Sequence, residues 1–235
     1  MKNFLIDKKE YELLDFKTNL MYNYRTRGDD VKQNYQIVLN NTLKEFKDQG
    51  IRPTLLLHAC CAPCSSYVLE YLNEYFDITV FFYNPNITEY SEYEKRSREL
   101  VRLINEMPLK YPVKFMDGGY TPQEFISVSK GYETAPEGGA RCVRCYRLRL
   151  ERTASVAVNH KFDYFTTTLT ISPHKNAQLL NELGKELSEK YGIAYLFSDF
   201  KKNNGYKRSC ELSEIYGLYR QNYCGCIYSK RKEEI

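Results

Sequence analysis

The 235-residue chain has no tryptophan, three histidines and four methionines. It shows no internal repeat and no low-complexity linker, which excludes a repeat array. No apolar run approaches the roughly eighteen residues of a membrane-spanning helix, and no apolar leader follows Met1. From those two absences neither a membrane-spanning helix nor export is expected, and the expected location is the cytoplasm. Charge of one sign is scarce as well. Lys+Arg 34 against Asp+Glu 30 leaves a formal net charge of +4, and composition alone makes no case for nucleic acid. What is plentiful is tyrosine, with 22 residues, and cysteine, with eight. Tyrosines stack on bases, but they also fill half-buried surfaces, and the second reading is the ordinary one. In a reducing compartment cysteines do not persist as structural disulfides, so their clustering points to metal or redox chemistry.

The length exceeds one typical domain without reaching two. Residues 1–50 are expected to form an N-terminal helical extension, and 51–235 an α/β catalytic domain ending in a Cys-Gly-Cys segment. In the extension, Val31, Tyr35, Val38, Leu39, Leu43 and Phe46 recur at helical spacing, and Gly50 sits where a helix would stop. From Thr54 onward strands and helices alternate. The runs Thr54–His58, Ile78–Tyr83, Val113–Met116, Phe162–Phe165 and Ala194–Phe197 read as strands. Helices are expected from Ser65, and over 89–106, 121–129, 140–158 and 175–190. This order predicts a doubly wound, mostly parallel sheet, with its site outside the C-terminal ends of the strands. His58-Ala-Cys60-Cys61, Asn84-Pro85-Asn86, Asp117, Thr166-Thr-Thr and Asp199 all fall at that edge.

Seven cysteines lie in three groups: Cys60-Cys61-Ala-Pro-Cys64, Cys142-Val-Arg-Cys145 and Cys224-Gly-Cys226. Cys142 and Cys145 share a face of a predicted helix, and Gly138-Gly139 before them permits close approach. The wide separation of the groups excludes a local zinc finger. Four thiolates close one centre and three leave a second metal open, which fits an iron–sulfur cluster beside another metal. Adjacent Cys60 and Cys61 have diverging side chains, which suits two irons of a cubane. A competing reading takes Cys61-Ala-Pro-Cys64, after a strand and at a helix start, as a thioredoxin-like dithiol. It leaves five of the seven grouped cysteines without a role. Cys210 reads as an ordinary small residue.

Taken together, these motifs resemble a known family. His58-Ala-Cys-Cys-Ala-Pro-Cys64, Tyr83-Asn-Pro-Asn86 with Glu92-Tyr93 and Arg96, the Cys142/Cys145 pair and Ser198-Asp-Phe-Lys201 form an ordered set. Ser209, Tyr216-Gly-Leu-Tyr-Arg-Gln221 and Tyr223-Cys-Gly-Cys226 complete it. The set resembles the non-cobalamin epoxyqueuosine reductases of the QueH type, over about residues 54–229. The resemblance implies a Rossmann-like sheet similar to HUP folds. It also implies removal of the epoxide oxygen of epoxyqueuosine at the tRNA wobble position, and a 4Fe–4S cluster beside a second iron. No nucleotide is implied, because the Ser-Gly-Gly-x-Asp-Ser loop of the ATP-using relatives is missing. Carried over, Cys60, Cys61, Cys142 and Cys145 are the expected cluster ligands, and Cys64, Cys224 and Cys226 those of the second iron. Asp199 is a fallback ligand or an acid.

Deoxygenating an epoxide takes two electrons, two protons and something to hold the oxygen. A cluster passes electrons singly, so a one-electron donor protein such as a ferredoxin or flavodoxin is the expected partner. His174, Asp199 and Tyr223 are the expected proton donors, and His174 in Ser172-Pro-His-Lys175 reads equally as a helix-start residue. The second partner is the tRNA anticodon stem-loop carrying epoxyqueuosine. Arg141, Arg144, Arg147, Arg149 and Arg152 crowd the Cys142 helix. Such a run usually marks a solvated face; here it flanks the site. With Tyr216, Tyr219, Arg220 and Tyr223 it offers phosphate and stacking contacts, and Arg144, Tyr219 and Arg220 are the expected substrate-binding residues. Besides this enzyme, two readings stand: a thiol–disulfide oxidoreductase with a structural metal, and a non-enzymatic RNA-binding metalloprotein.

Overall fold

The computed structural model describes residues 33–230. Val31 and most of the expected 1–50 extension lie outside the described residues. The first element, α1 (Tyr35–Gln49), starts where the Asn34 side chain accepts from the Gln36 and Ile37 amides. It ends at Gly50 in the left-handed conformation, as the periodicity predicts. Its apolar face is core: Leu39, Leu43 and Phe46 are buried. Phe46 meets Phe76 and Tyr164 edge-on, and Tyr35 stacks on Phe197.

Five strands follow: β1 (Thr54–His58), β2 (Asp77–Phe82), β3 (Lys114–Asp117), β4 (Tyr164–Thr167) and β5 (Ala194–Tyr195). All pair in parallel, in the order β3-β2-β1-β4-β5. Between them lie α2 (Ala62–Leu72), α3 (Tyr90–Glu106), α4 (Pro122–Ser129), α5 (Ala140–Asn159) and α6 (Ala177–Tyr191), and α7 (Gly205–Ile215) closes the list. Side-chain alternation along β1 feeds both layers. Leu55 and Leu57 join the core of α1, α2 and α3, whereas Leu56 joins that of α5 and α6. The sheet is therefore doubly wound. Its order reverses between β1 and β4, so their C-terminal ends open the crevice where such sheets bind ligands.

The expected strands and helices are present, with ends shifted by one or two residues. Two differences matter. The helix expected from Ser65 begins at Ala62, with Pro63 in its first turn, where a missing N–H costs nothing. The cysteine motif is thus itself the helix start. In addition, α7 was not anticipated. Its buried face is Gly205, Ser209, Leu212 and Ser213, which gives no apolar periodicity to read.

Candidate metal centre

The first cysteine group is placed by β1 and α2. His58 ends the central strand, paired with Phe81 on one side and Thr167 on the other. Two residues on, Cys60 rests against Thr168, its amide and its sulfur 3.4 and 3.7 Å from Thr168 Oγ1. Cys61 is the extended N-cap of α2, and Cys64 lies in the first turn. The Sγ atoms of Cys60, Cys61 and Cys64 all lie within 4.8 Å of one another, with 3.6 Å between Cys60 and Cys61. Tetrahedral thiolates at about 2.3 Å from one metal lie about 3.8 Å apart, so the triad has the spacing of ligands on a single ion. The divergence of neighbouring side chains inferred for Cys60 and Cys61 does not extend to their sulfurs, which lie 3.6 Å apart although Cys61 is extended.

The second pair rides on α5. Gly138, at φ +81°, turns its amide onto Cys142 Sγ at 3.3 Å, the close approach the paired glycines predicted. Burial pushes the Cys142 thiol up, and that of Cys145 up to about 12. For both, Cys224 and Cys226 are among the interacting charges. Cys226 is buried with Cys145, Phe125, Val128 and Leu148. Cys142, Cys145, Cys224 and Cys226 thus form a second neighbourhood.

The Cys224-Gly-Cys226 segment has no regular secondary structure. Gly225 takes φ +108°, and a Cβ there would meet Ile87 at 2.9 Å and Arg96 at 3.2 Å. The glycine serves its own backbone and its fit against those residues. The segment is tied down by the Tyr83–Asn86 and Arg96 motifs. Asn86 Nδ2 donates to the Cys224 carbonyl at 3.1 Å and lies 3.7 Å from its sulfur. Arg96, 2% exposed and paired with Glu92 at 2.6 Å, donates to the Cys224 carbonyl at 3.2 Å.

Beneath the cysteines lies a buried polar network. Arg149, 1% exposed, donates to His58 Nε2 at 3.2 Å and to Asn84 Oδ1 at 2.5 Å. Asn84 in turn donates to the Ala59 carbonyl at 2.9 Å. His58 Nε2 also lies 3.1 Å from the Tyr83 carbonyl, and its Nδ1 lies 2.8 Å from Thr167 Oγ1. Burial, then the charge of Arg149, pushes the His58 pKa down to about 3, so the ring is neutral. Hydrogen bonds from Cys61 and Cys64, with help from Lys175 and Arg149, hold the Cys60 thiol well below its ordinary range.

Above the cysteines opens a cavity of about 420 Å³ lined by Cys60, Cys61, Cys64 and Cys224. Arg96, Arg149, Lys175 and Arg220 also line it, against one acid, Glu137. Of the expected proton donors, His174 and Tyr223 line the cavity; Asp199 does not, and pairs with Lys201 at 2.6 Å. Of the expected RNA-binding residues, Arg220 is exposed on the cavity wall and donates to Ser213 Oγ at 2.9 Å. Tyr219 is packed onto α3, its hydroxyl 3.2 Å from Glu92 and its ring under the Lys95 ammonium at 3.4 Å. Arg144 lies over the Tyr132 ring at 4.3 Å.

The arginine-rich helix is not a solvated basic face. Arg141, Arg147 and Arg149 are buried. Arg141 caps the carbonyls of Tyr132, Glu133 and Ala135, and Arg147 grips Glu186 with both nitrogens. Arg152 pairs with Glu124. The interleaved Val143, Tyr146, Leu148 and Leu150 were the available signal that this helix is buried on several sides. The roles of Asn84, Asn86, Arg96 and Arg149 in holding the site were not read from the sequence, although the first three lie in the quoted motifs.

Fold and site together define a class: a doubly wound α/β protein carrying a cysteine-built site able to hold a metal. The dithiol reading is not favoured, because Cys61 and Cys64 share their site with Cys60. A family model described as epoxyqueuosine reductase QueH matches residues 55–232. Relatives bearing that name include one from Streptococcus pyogenes, 46% identical over 87% of this chain and 81% of its own. Another, from Staphylococcus epidermidis, is 45% identical over 87% of each chain, and one from Thermotoga maritima is 40% identical over 77% of this chain and 93% of its own. The chain belongs to the epoxyqueuosine reductase QueH family. Among the described residues no helix is long and apolar enough to cross a membrane.

Proposed function

We propose that this protein reduces epoxyqueuosine to queuosine at the wobble position of tRNA anticodons, the last step of queuosine synthesis, in the cytoplasm. The observation that carries the reading is the meeting of two distant cysteine segments at one cavity rich in cations, with the Cys142/Cys145 pair beside the second of them. Seven thiols with a buried guanidinium beneath them suit a thiolate-held 4Fe–4S cluster and a neighbouring iron. When bound, that group supplies electrons one at a time and a Lewis acid. The chain does the rest. Arg149 offsets the thiolate charge from below, His58 and Asn84 fix Arg149, and Asn86 and Arg96 hold Cys224. Arg220 on the exposed wall is the proposed phosphate contact. Tyr219 and Arg144 support it from beside the cavity, and His174 and Tyr223 carry protons in from solvent. A ferredoxin or flavodoxin is the proposed electron donor.

The test is anaerobic preparation, iron and acid-labile sulfide analysis, and conversion of epoxyqueuosine to queuosine in tRNA under a one-electron donor. Full metal content without turnover would overturn the reading. Two ligand divisions are on trial in the same assay. The motif-based division gives Cys60, Cys61, Cys142 and Cys145 to the cluster and Cys64, Cys224 and Cys226 to the second iron. The 3.6 Å sulfur spacing favours a second: Cys60, Cys61 and Cys64 on the single iron, and the other four on the cluster. Under the first division Cys224→Ser keeps acid-labile sulfide; under the second it loses it, whereas Cys64→Ala keeps it.

A further inference from the structure

We propose that Lys175 is a catalytic residue whose ammonium binds the departing epoxide oxygen and gives it one of the two protons it needs. The inference deepens the reductase reading and rests on it. Lys175 ends the Ser172–Lys175 turn, all four residues of which line the cavity, and its amide donates to the Ser172 carbonyl at 3.2 Å. The side chain is half-buried, yet among the described residues its ammonium has no carboxylate partner and makes no hydrogen bond. The other buried or half-buried cations of the cavity are committed. Arg96 is tied to Glu92, and Arg149 to His58 and Asn84. Leaving an ammonium half-buried and unpaired costs free energy unless something compensates. Among the described residues lining the cavity, Lys175 is the half-buried cation without such a tie, on a wall shared with the cysteines of two segments.

The alternatives are weaker on geometry. Asp199 is spent on Lys201 outside the cavity lining. His174 is exposed, on the solvent side of the turn. Tyr223 has its ring beneath Arg96 at 5.3 Å. The step balances as follows. Both C–O bonds of the three-membered ring break, a C=C bond forms between its carbons, and the oxygen leaves as water. Two electrons come from the one-electron donor protein in two deliveries. One proton comes from Lys175 and one from solvent, which then reprotonates the amine.

The test uses metal-loaded holoenzyme and epoxyqueuosine-tRNA. Lys175→Met and Lys175→Arg should each lose about 10²–10⁴-fold in turnover, the usual contribution of a positioned acid. Iron, sulfide and tRNA affinity should stay at wild-type levels in Lys175→Arg, which keeps the charge beside the sulfurs. Lys175→Ala should recover turnover with added ethylamine, a response that a purely structural lysine would not give. Wild-type turnover in Lys175→Arg, or no amine rescue of a metal-replete Lys175→Ala, would overturn the proposal. An inactive wild-type holoenzyme would instead overturn the reductase reading beneath it.

Discussion

The cysteine loop after β1 and the Cys224-Gly-Cys226 segment line one cavity, yet they are held by different means. The loop is fixed by its own neighbours. Its strand sits at the centre of the sheet, Cys61 caps α2, and Ser65 returns both its amide and its hydroxyl to the Cys61 carbonyl at 3.2 and 2.8 Å. The C-terminal segment has no regular structure of its own. Its carbonyls are held by Arg96 and Asn86, 128 and 138 residues away in sequence. One half of the site follows from local backbone rules; the other exists only once the fold has closed.

That comparison can be broken by mutation. Arg96→Met should do the most damage, because it strips a buried ion pair of one partner and removes a donor from the Tyr223 and Cys224 carbonyls. A loss of about 3–5 kcal/mol is expected in urea unfolding; a loss below about 1 kcal/mol would mean the segment is held otherwise. The loop's own weakness should show with pH. His58 titrates near 6.5 when unfolded and at about 3 when folded, so the unfolded chain binds the proton first. Stability present above pH ~6.5 should then fall as the pH drops toward ~3. His58→Gln should flatten that slope in denaturation curves between pH 7 and pH 4.5, and an unchanged slope would remove His58 as its source.

Gly225→Ala places a methyl on a backbone at φ +108° against Ile87, at an expected cost of about 1–3 kcal/mol. Calorimetry should show it together with weakened retention of iron. The smallest expected effect is Ser65→Ala in the loop, about 1 kcal/mol, with metal content unchanged because the helix start still frames the cysteines. If Ser65→Ala sheds more metal than Gly225→Ala, the local-versus-remote contrast is wrong.

Much of this was legible in the residues. Runs of β-branched and aromatic residues alternating with helical periods predicted all five strands and the parallel winding, because each local preference agrees with the sheet. The helix of Gly205, Ser209, Leu212 and Ser213 stayed hidden, since it packs with small polar residues. The arginines of α5 misled for the opposite reason: their charge spoke for solvent, but Glu186, the 132–135 carbonyls and Asn84 satisfy them inside.

By itself the sequence determined the order of the strands and helices, the sheet edge at which the cysteines emerge and the family they define. These rest on period, turn chemistry and ordered motifs, all properties of short stretches of chain. Tertiary structure alone decided which sulfurs meet, which arginines are buried and which lysine is left without a partner. Several of those depend on groups far apart in the chain, 39 residues for Arg147 and Glu186, 65 for Arg149 and Asn84 and 138 for Asn86 and Cys224, and no local spacing encodes the distance between them once the chain has folded.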